Sequence, residues 1–155
     1  MNIYEGIVSN SLLKKFPSGY PTNVPLTNFV ANCVDLEGVL ACAGLFCPTF
    51  IEIDNVIYRK DGTDERFKPY EGDGKDKKTL EMTNNNFCLS EFFLMAANEA
   101  SESVELMLKF SSVLEYFWRQ RLKELFPKKN FEFIHSENGL FDEDGFCMTF
   151  YEIEY

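Results

Sequence analysis

The patterning of this chain predicts an α+β fold: one domain over residues 1–155, with an antiparallel sheet of about four to five strands and helices packed on one of its faces. Three observations lead there. Segments with the two-residue period of strands lie toward both ends of the chain, and segments with helical spacing lie between them. One helical stripe, over residues 101–126, is far longer than the others. The final segment alternates on both sides of an Asn-Gly turn, as an antiparallel hairpin does. A chain of 155 residues can bury roughly 70% of its unfolded surface and fold without covalent staples.

Residues 2–9 read as a short first strand and residues 11–16 as a helical turn. Residues 17–25 hold three prolines and a glycine and form a loop. Over residues 27–45, Phe29, Val30, Cys33, Val34, Leu36, Val39, Leu40 and Ala43 recur at intervals of three and four, which gives a helix one face to bury. Asp35 is placed to cap a second helix starting at Leu36. The residue before a proline avoids helical backbone, so Cys47-Pro48 ends it. Residues 49–60 read as a tight hairpin turning at Asp54-Asn55, or as one long bulged strand. Residues 61–81 are polar, rich in glycine and charge, and aperiodic, and are expected to form a mobile loop.

Residues 87–97 read as a short apolar helix. Ser101 opens the longest helix, whose stripe is Val104, Met107, Ser111, Leu114, Trp118, Leu122 and Leu125. Glu102 and Glu105 near its start, with Arg119, Arg121 and Lys123 near its end, complement the helix dipole. Residues 130–136 then alternate, with Phe131, Phe133 and His135 on one side. Asn138-Gly139 is a turn, Asp142-Glu143-Asp144-Gly145 a second one, and residues 146–153 alternate again. The tail is therefore expected to be an antiparallel hairpin with a long acidic connection.

Composition narrows the function classes. Hydrophobic residues at 45% and aromatics at 15%, with sixteen Phe, are far too apolar for a disordered chain. No uncharged apolar run reaches the length of a membrane span, and no basic segment precedes an apolar one at the start, as a signal peptide requires. Cys33, Cys42, Cys47, Cys88 and Cys147 are odd in number and lack C-x-x-C spacing. They read as free, buried thiols of a cytoplasmic protein, with no metal or cofactor expected. The net charge of −10 opposes binding to nucleic acid or to an anionic membrane and favours a basic protein partner. Residues 130–155 hold seven carboxylates and neither Lys nor Arg, so most of the charge imbalance sits in the tail.

Catalytic patterns were tested and fail. A Ser-His-Asp or Cys-His relay has only His135 to use. Aligning Gly145 with the glycine of a calcium-binding EF-hand loop puts Leu140 where an oxygen ligand is needed. Residues 71–79 contain a Gly-Lys pair, but Pro69 and Asp76 occupy the positions where a phosphate loop needs Gly and Ser or Thr. The cations of residues 119–129 read as a solvated helix end.

The passage LFCPTFIEIDNVIY, residues 45–58, resembles a segment of small uncharacterised bacterial proteins: an apolar helix, a proline, Phe-Ile-Glu-x-Asp, then an apolar strand. That resemblance implies no activity. In size and acidity the chain also resembles immunity proteins that neutralise toxins. The reading is therefore a cytoplasmic acidic binding protein, not an enzyme, that meets a basic protein surface through its tail hairpin, an immunity protein facing a basic toxin being the concrete form. The candidate contact residues are Glu137, Asp142, Glu143, Asp144, Tyr151, Glu152 and Tyr155: carboxylates to steer a cationic partner and rings to anchor it. The alternative is a small-molecule-binding domain or hydrolase with a Phe-lined pocket that uses carboxylates and His135.

Overall fold

The computed structural model describes residues 1, 3, 6–8, 26–60, 69, 70, 72, 74–95 and 103–153. The strand expected at residues 2–9 falls largely outside these, and the turn and loop of residues 11–25 wholly so. Backbone contacts divide the chain into two compact units, Met1–Leu45 and Phe46–Tyr155.

Helix α1 (Leu26–Cys33) and helix α2 (Leu36–Phe46) divide the predicted helical stretch at Asp35. The Gly38 N–H donates to Asp35 Oδ1 at 2.7 Å, and the Val39 N–H donates to its carbonyl oxygen at 3.1 Å, which is the predicted cap. The burial expectation is corrected. Neither helix contains a buried residue, and Cys33, Cys42 and Cys47 are exposed, leaving only Cys88 and Cys147 buried. An apolar stripe gives a helix the capacity to be covered; what covers it is a tertiary matter. Among the described residues no single helix is long and apolar enough to cross a membrane.

The second unit begins with the hairpin of β1 (Thr49–Ile53) and β2 (Val56–Lys60). Asp54 and Asn55 turn it with φ of 51° and 65°, the paired left-handed residues of a type I′ turn. Next come α3 (Lys77–Asn84), the two-residue strand β3 (Phe87–Cys88), the single turn α4 (Leu89–Phe92) and the long helix α5 (Val104–Leu125). The chain closes with β4 (Asn130–Ser136) and β5 (Cys147–Ile153). Two predicted segments are thereby corrected. Lys77 to Glu81 belong to a helix rather than to the polar loop, and the helix expected from residue 87 starts with a strand pair instead. The helix start is marked in the sequence: Asp76 Oδ1 accepts the Thr79 N–H at 2.8 Å, so Asp-x-x-Thr starts α3.

The fold is α+β, but the sheet is not one. β1 and β2 pair alone, while β3, β5 and β4 form a three-stranded antiparallel sheet with β5 in the middle. The reason lies in α3. Glu81 is fully buried; its Oε1 accepts the Ile57 N–H of β2 at 2.9 Å and its Oε2 the Glu152 N–H of β5 at 2.6 Å. One carboxylate thus stands where a backbone ladder between β2 and β5 would have run. One helical turn later, Asn85 accepts the Arg59 N–H at 2.7 Å and donates to the Ile57 carbonyl at 2.8 Å. Backbone groups at buried edges must find partners, and here side chains supply them. Burial pushes the Glu81 pKa up, against the pull of the two N–H donors.

The core gathers on Phe150, which is fully buried. Its ring meets Phe50 at 5.7 Å, Phe133 at 5.3 Å, Phe131 at 6.0 Å and Trp118 at 6.4 Å between centroids. Trp118, Leu114, Leu122, Ser111 and Met107 of the predicted α5 stripe are buried, while Val104 and Leu125 at its ends are exposed. The expectation of helices on a single sheet face is also corrected. α5 covers the face bearing Phe133 and Phe150. α3 reaches the opposite face, where Thr149 donates its hydroxyl to the Met82 carbonyl at 2.7 Å.

Candidate functional site

The predicted tail hairpin forms in the register Phe133 opposite Phe150 and His135 opposite Met148. Its seven candidate residues do not share one environment. Glu152 is held between Lys77 at 2.6 Å and Lys129 at 2.9 Å, with its side chain 13% exposed. Lys129 in turn reaches Glu52 at 2.9 Å and Asn55 Oδ1 at 2.8 Å, so the group fastens the β1–β2 hairpin to β5. Burial alone would raise the Glu152 pKa; the two lysines outweigh it and hold the carboxyl below its ordinary range. Tyr151 is half-buried under the Lys78 ammonium, 4.2 Å from its ring centroid. Tyr155 lies outside the described residues.

The connection between β4 and β5 is different. Glu137, Asp142 and Asp144 are exposed, and among the described residues no lysine or arginine pairs with them. The connection is nonetheless well ordered by its backbone. The Gly139 N–H donates to the Gly145 carbonyl at 2.7 Å, and Leu140 and Glu143 exchange hydrogen bonds at 3.1 and 3.2 Å. Gly139 has φ of 90°, and a Cβ there would run into the Glu143 carbonyl oxygen. Between Leu140 and Glu143 the chain reverses through Phe141 and Asp142. Phe141 has φ of 58°, while Asp142 is not in the positive region. A positive φ at the first central residue is the type II′ signature, a position that favours glycine. A phenylalanine there is an outlier, and its side chain is 49% exposed. Sequence reading missed Phe141, because nothing in the local pattern marks the backbone sign.

Glu143 turns inward from the same connection. Its Oε2 accepts from Asn86 Nδ2 at 2.7 Å, and burial, with Glu91 nearby, pushes its pKa up. It faces Cys88 and Cys147, and one ligand atom from each of the three residues lies within 4.8 Å of the others. The cysteines are direct cross-strand neighbours in β3 and β5. The Leu89 N–H donates to the Phe146 carbonyl at 2.8 Å, which makes the cysteines a non-hydrogen-bonded pair, the kind whose side chains stand closest. Burial and the neighbouring Cys88 push the Cys147 thiol up to about 12.

His135 is tied to α5. Its Nε2 lies 2.6 Å from Glu115 Oε2, and the other Glu115 oxygen accepts from Arg119 Nε at 2.7 Å. Burial would raise the Glu115 pKa, but the Arg119 and His135 hydrogen bonds bring it below its ordinary value. One cleft of about 300 Å³, beside Met107, Asn138 and Phe146, has Glu137 as its only carboxylate among the described residues. Another of about 440 Å³ is walled by Arg119, Lys123, Lys129 and Phe131. Among the described residues neither cleft is lined by His135 or by two tail carboxylates, the arrangement that the pocket alternative calls for. Comparison with protein-family models, curated proteins and solved structures finds no match, so function rests on this geometry.

Proposed function

We propose that this is a binding protein that captures a basic protein partner through the β4–β5 connection, with Phe141 as the anchor and Glu137, Asp142 and Asp144 as the steering charges. The observation that carries the reading is the Phe141 ring, half exposed on a left-handed backbone and flanked by exposed carboxylates that no lysine or arginine meets among the described residues. A bulky residue in that conformation costs roughly 1–3 kcal/mol and tends to mark a functional site. Exposed carboxylates raise the association rate with a cation-rich surface, and an aromatic ring supplies the desolvated contact that charge cannot. An immunity protein facing a cationic toxin domain is the concrete form, supported by the chain's size and acidity.

The test compares capture of proteins from a lysate of its own cell by the wild-type chain and by Phe141→Ala and Asp142→Asn/Asp144→Asn variants, at low and high salt. The reading expects one basic protein retained by the wild type, lost with Phe141→Ala, and captured more slowly, with weaker salt dependence, by the double variant. Identical capture by all three at low salt would sink it.

A further inference from the structure

We propose that Cys88, Cys147 and Glu143 form a binding site for one thiophilic divalent cation of the zinc class, and that the bound ion clips the acidic connection to β3. The donors suit such an ion: two thiolates and one carboxylate, with a fourth position left for water or a carbonyl. Their ligand atoms lie within 4.8 Å of one another. Ligands around one tetrahedral zinc stand roughly 3.3–3.8 Å apart, as bond lengths of about 2.0–2.3 Å require. Side-chain rotation therefore closes the site without moving a strand.

The surroundings support the same assignment. The non-hydrogen-bonded register fixes the two sulfurs on one sheet face. The Glu91 N–H donates to Cys88 Sγ at 3.4 Å, which fixes where this sulfur stands. Asn86 holds Glu143 Oε2 at 2.7 Å, as partners behind metal-bound carboxylates do. Asn86 Oδ1, in the same side chain, is a buried acceptor with no hydrogen-bond partner among the described residues. The Cys88 thiol donates to the Asp144 carbonyl at 3.4 Å, so the backbone of the connection already lies against this sulfur. Glu91 lies close enough to Glu143 to act on it electrostatically, and the exposed Asp142 and Asp144 flank Glu143 in the chain, so negative charge surrounds this ligand. Sequence spacing conceals the site because Cys88 lies far along the chain from Glu143 and Cys147.

The test is a titration of the reduced full-length chain with Zn²⁺, followed by calorimetry and thermal melting, and with Co²⁺, followed by absorption. The proposal expects one equivalent of tightly bound Zn²⁺, a melting temperature raised by it and restored by a chelator, and cobalt–thiolate charge-transfer bands. Glu143→Gln, at the half-buried rim, should weaken zinc binding by about tenfold or more, and Cys88→Ser by about a hundredfold. A Cys33→Ser/Cys42→Ser/Cys47→Ser variant should keep the equivalent, and Asp142→Asn/Asp144→Asn should stay within about threefold of wild type, since these residues steer but do not ligate. No cobalt–thiolate band in the unmutated protein would overturn the site. So would loss of the equivalent in the triple variant, unchanged affinity in Glu143→Gln, or a reduced protein blind to zinc whose Cys88 and Cys147 merely join as a disulfide in air. Partner capture is read separately, so either proposal can fail alone.

Discussion

Glu152 and Asp142 are carboxylates of one hairpin, and Tyr151 and Phe141 are rings beside them, yet the two pairs live in different surroundings. On β5, Glu152 is neutralised by Lys77 and Lys129 and Tyr151 lies under Lys78. In the connection, Asp142 is exposed and Phe141 stands half in solvent on a backbone that suits glycine. The difference teaches that an acidic, aromatic stretch is not one surface. The part that meets the lysines of α3 and the β1–β2 hairpin becomes mortar between sheets; the exposed carboxylates of the connection meet no lysine or arginine among the described residues and keep their charge available.

The largest test of this contrast lies on the mortar side. Glu81→Ala should destabilise the protein by about 3–5 kcal/mol, because it leaves the Ile57 and Glu152 N–H groups buried without an acceptor. Urea unfolding measures it, and Glu81→Gln should recover part of the loss. A loss under about 1 kcal/mol would mean that the two sheets do not depend on α3. Next is Gly139→Ala. The positive φ and the collision with the Glu143 carbonyl should cost about 2 kcal/mol and misplace the connection, which a lowered melting temperature together with weakened partner capture would register.

Glu152→Gln should cost about 1.5 kcal/mol at neutral pH, from the loss of two charge-assisted hydrogen bonds. The pH dependence follows from its lowered folded pKa. Wild-type Glu152 adds stability above its ordinary value of 4.5 and loses it as the pH falls through the lowered value. Glu115, lowered by Arg119 and His135, adds to the same acid limb. Stability measured across that limb should fall less steeply in the variant, and an unchanged slope would rule out Glu152 as a contributor. The smallest expected effect on stability belongs to Phe141. Phe141→Gly relieves the left-handed strain and gives up a half-exposed ring, so its stability should stay within about 1 kcal/mol of wild type while partner capture falls. Equal capture would place the anchor elsewhere.

Much of the local architecture was legible because it depends on neighbours in the chain. The Asp54-Asn55 turn, the Asp35 cap, the middle of the α5 stripe and the alternation of β4 and β5 all follow from short-range backbone and side-chain preferences. The α3 helix was legible in Asp76 and Thr79 but was obscured by the charged, glycine-rich stretch before it. The candidate site was legible only in outline: the acidic connection was found, whereas Phe141, Glu81 and the Cys88–Glu143–Cys147 corner were not.

The chain's order of residues by itself determined the acidity of the tail, the α+β class and the position of most turns, since composition and periodicity act over a few residues. Tertiary structure alone decided that the sheet divides in two, that Glu152 lies between two lysines while Asp142 is left exposed, and that two distant cysteines meet a glutamate. Those outcomes depend on which groups arrive within hydrogen-bonding reach once the chain has closed long loops, and no spacing in the sequence records that distance.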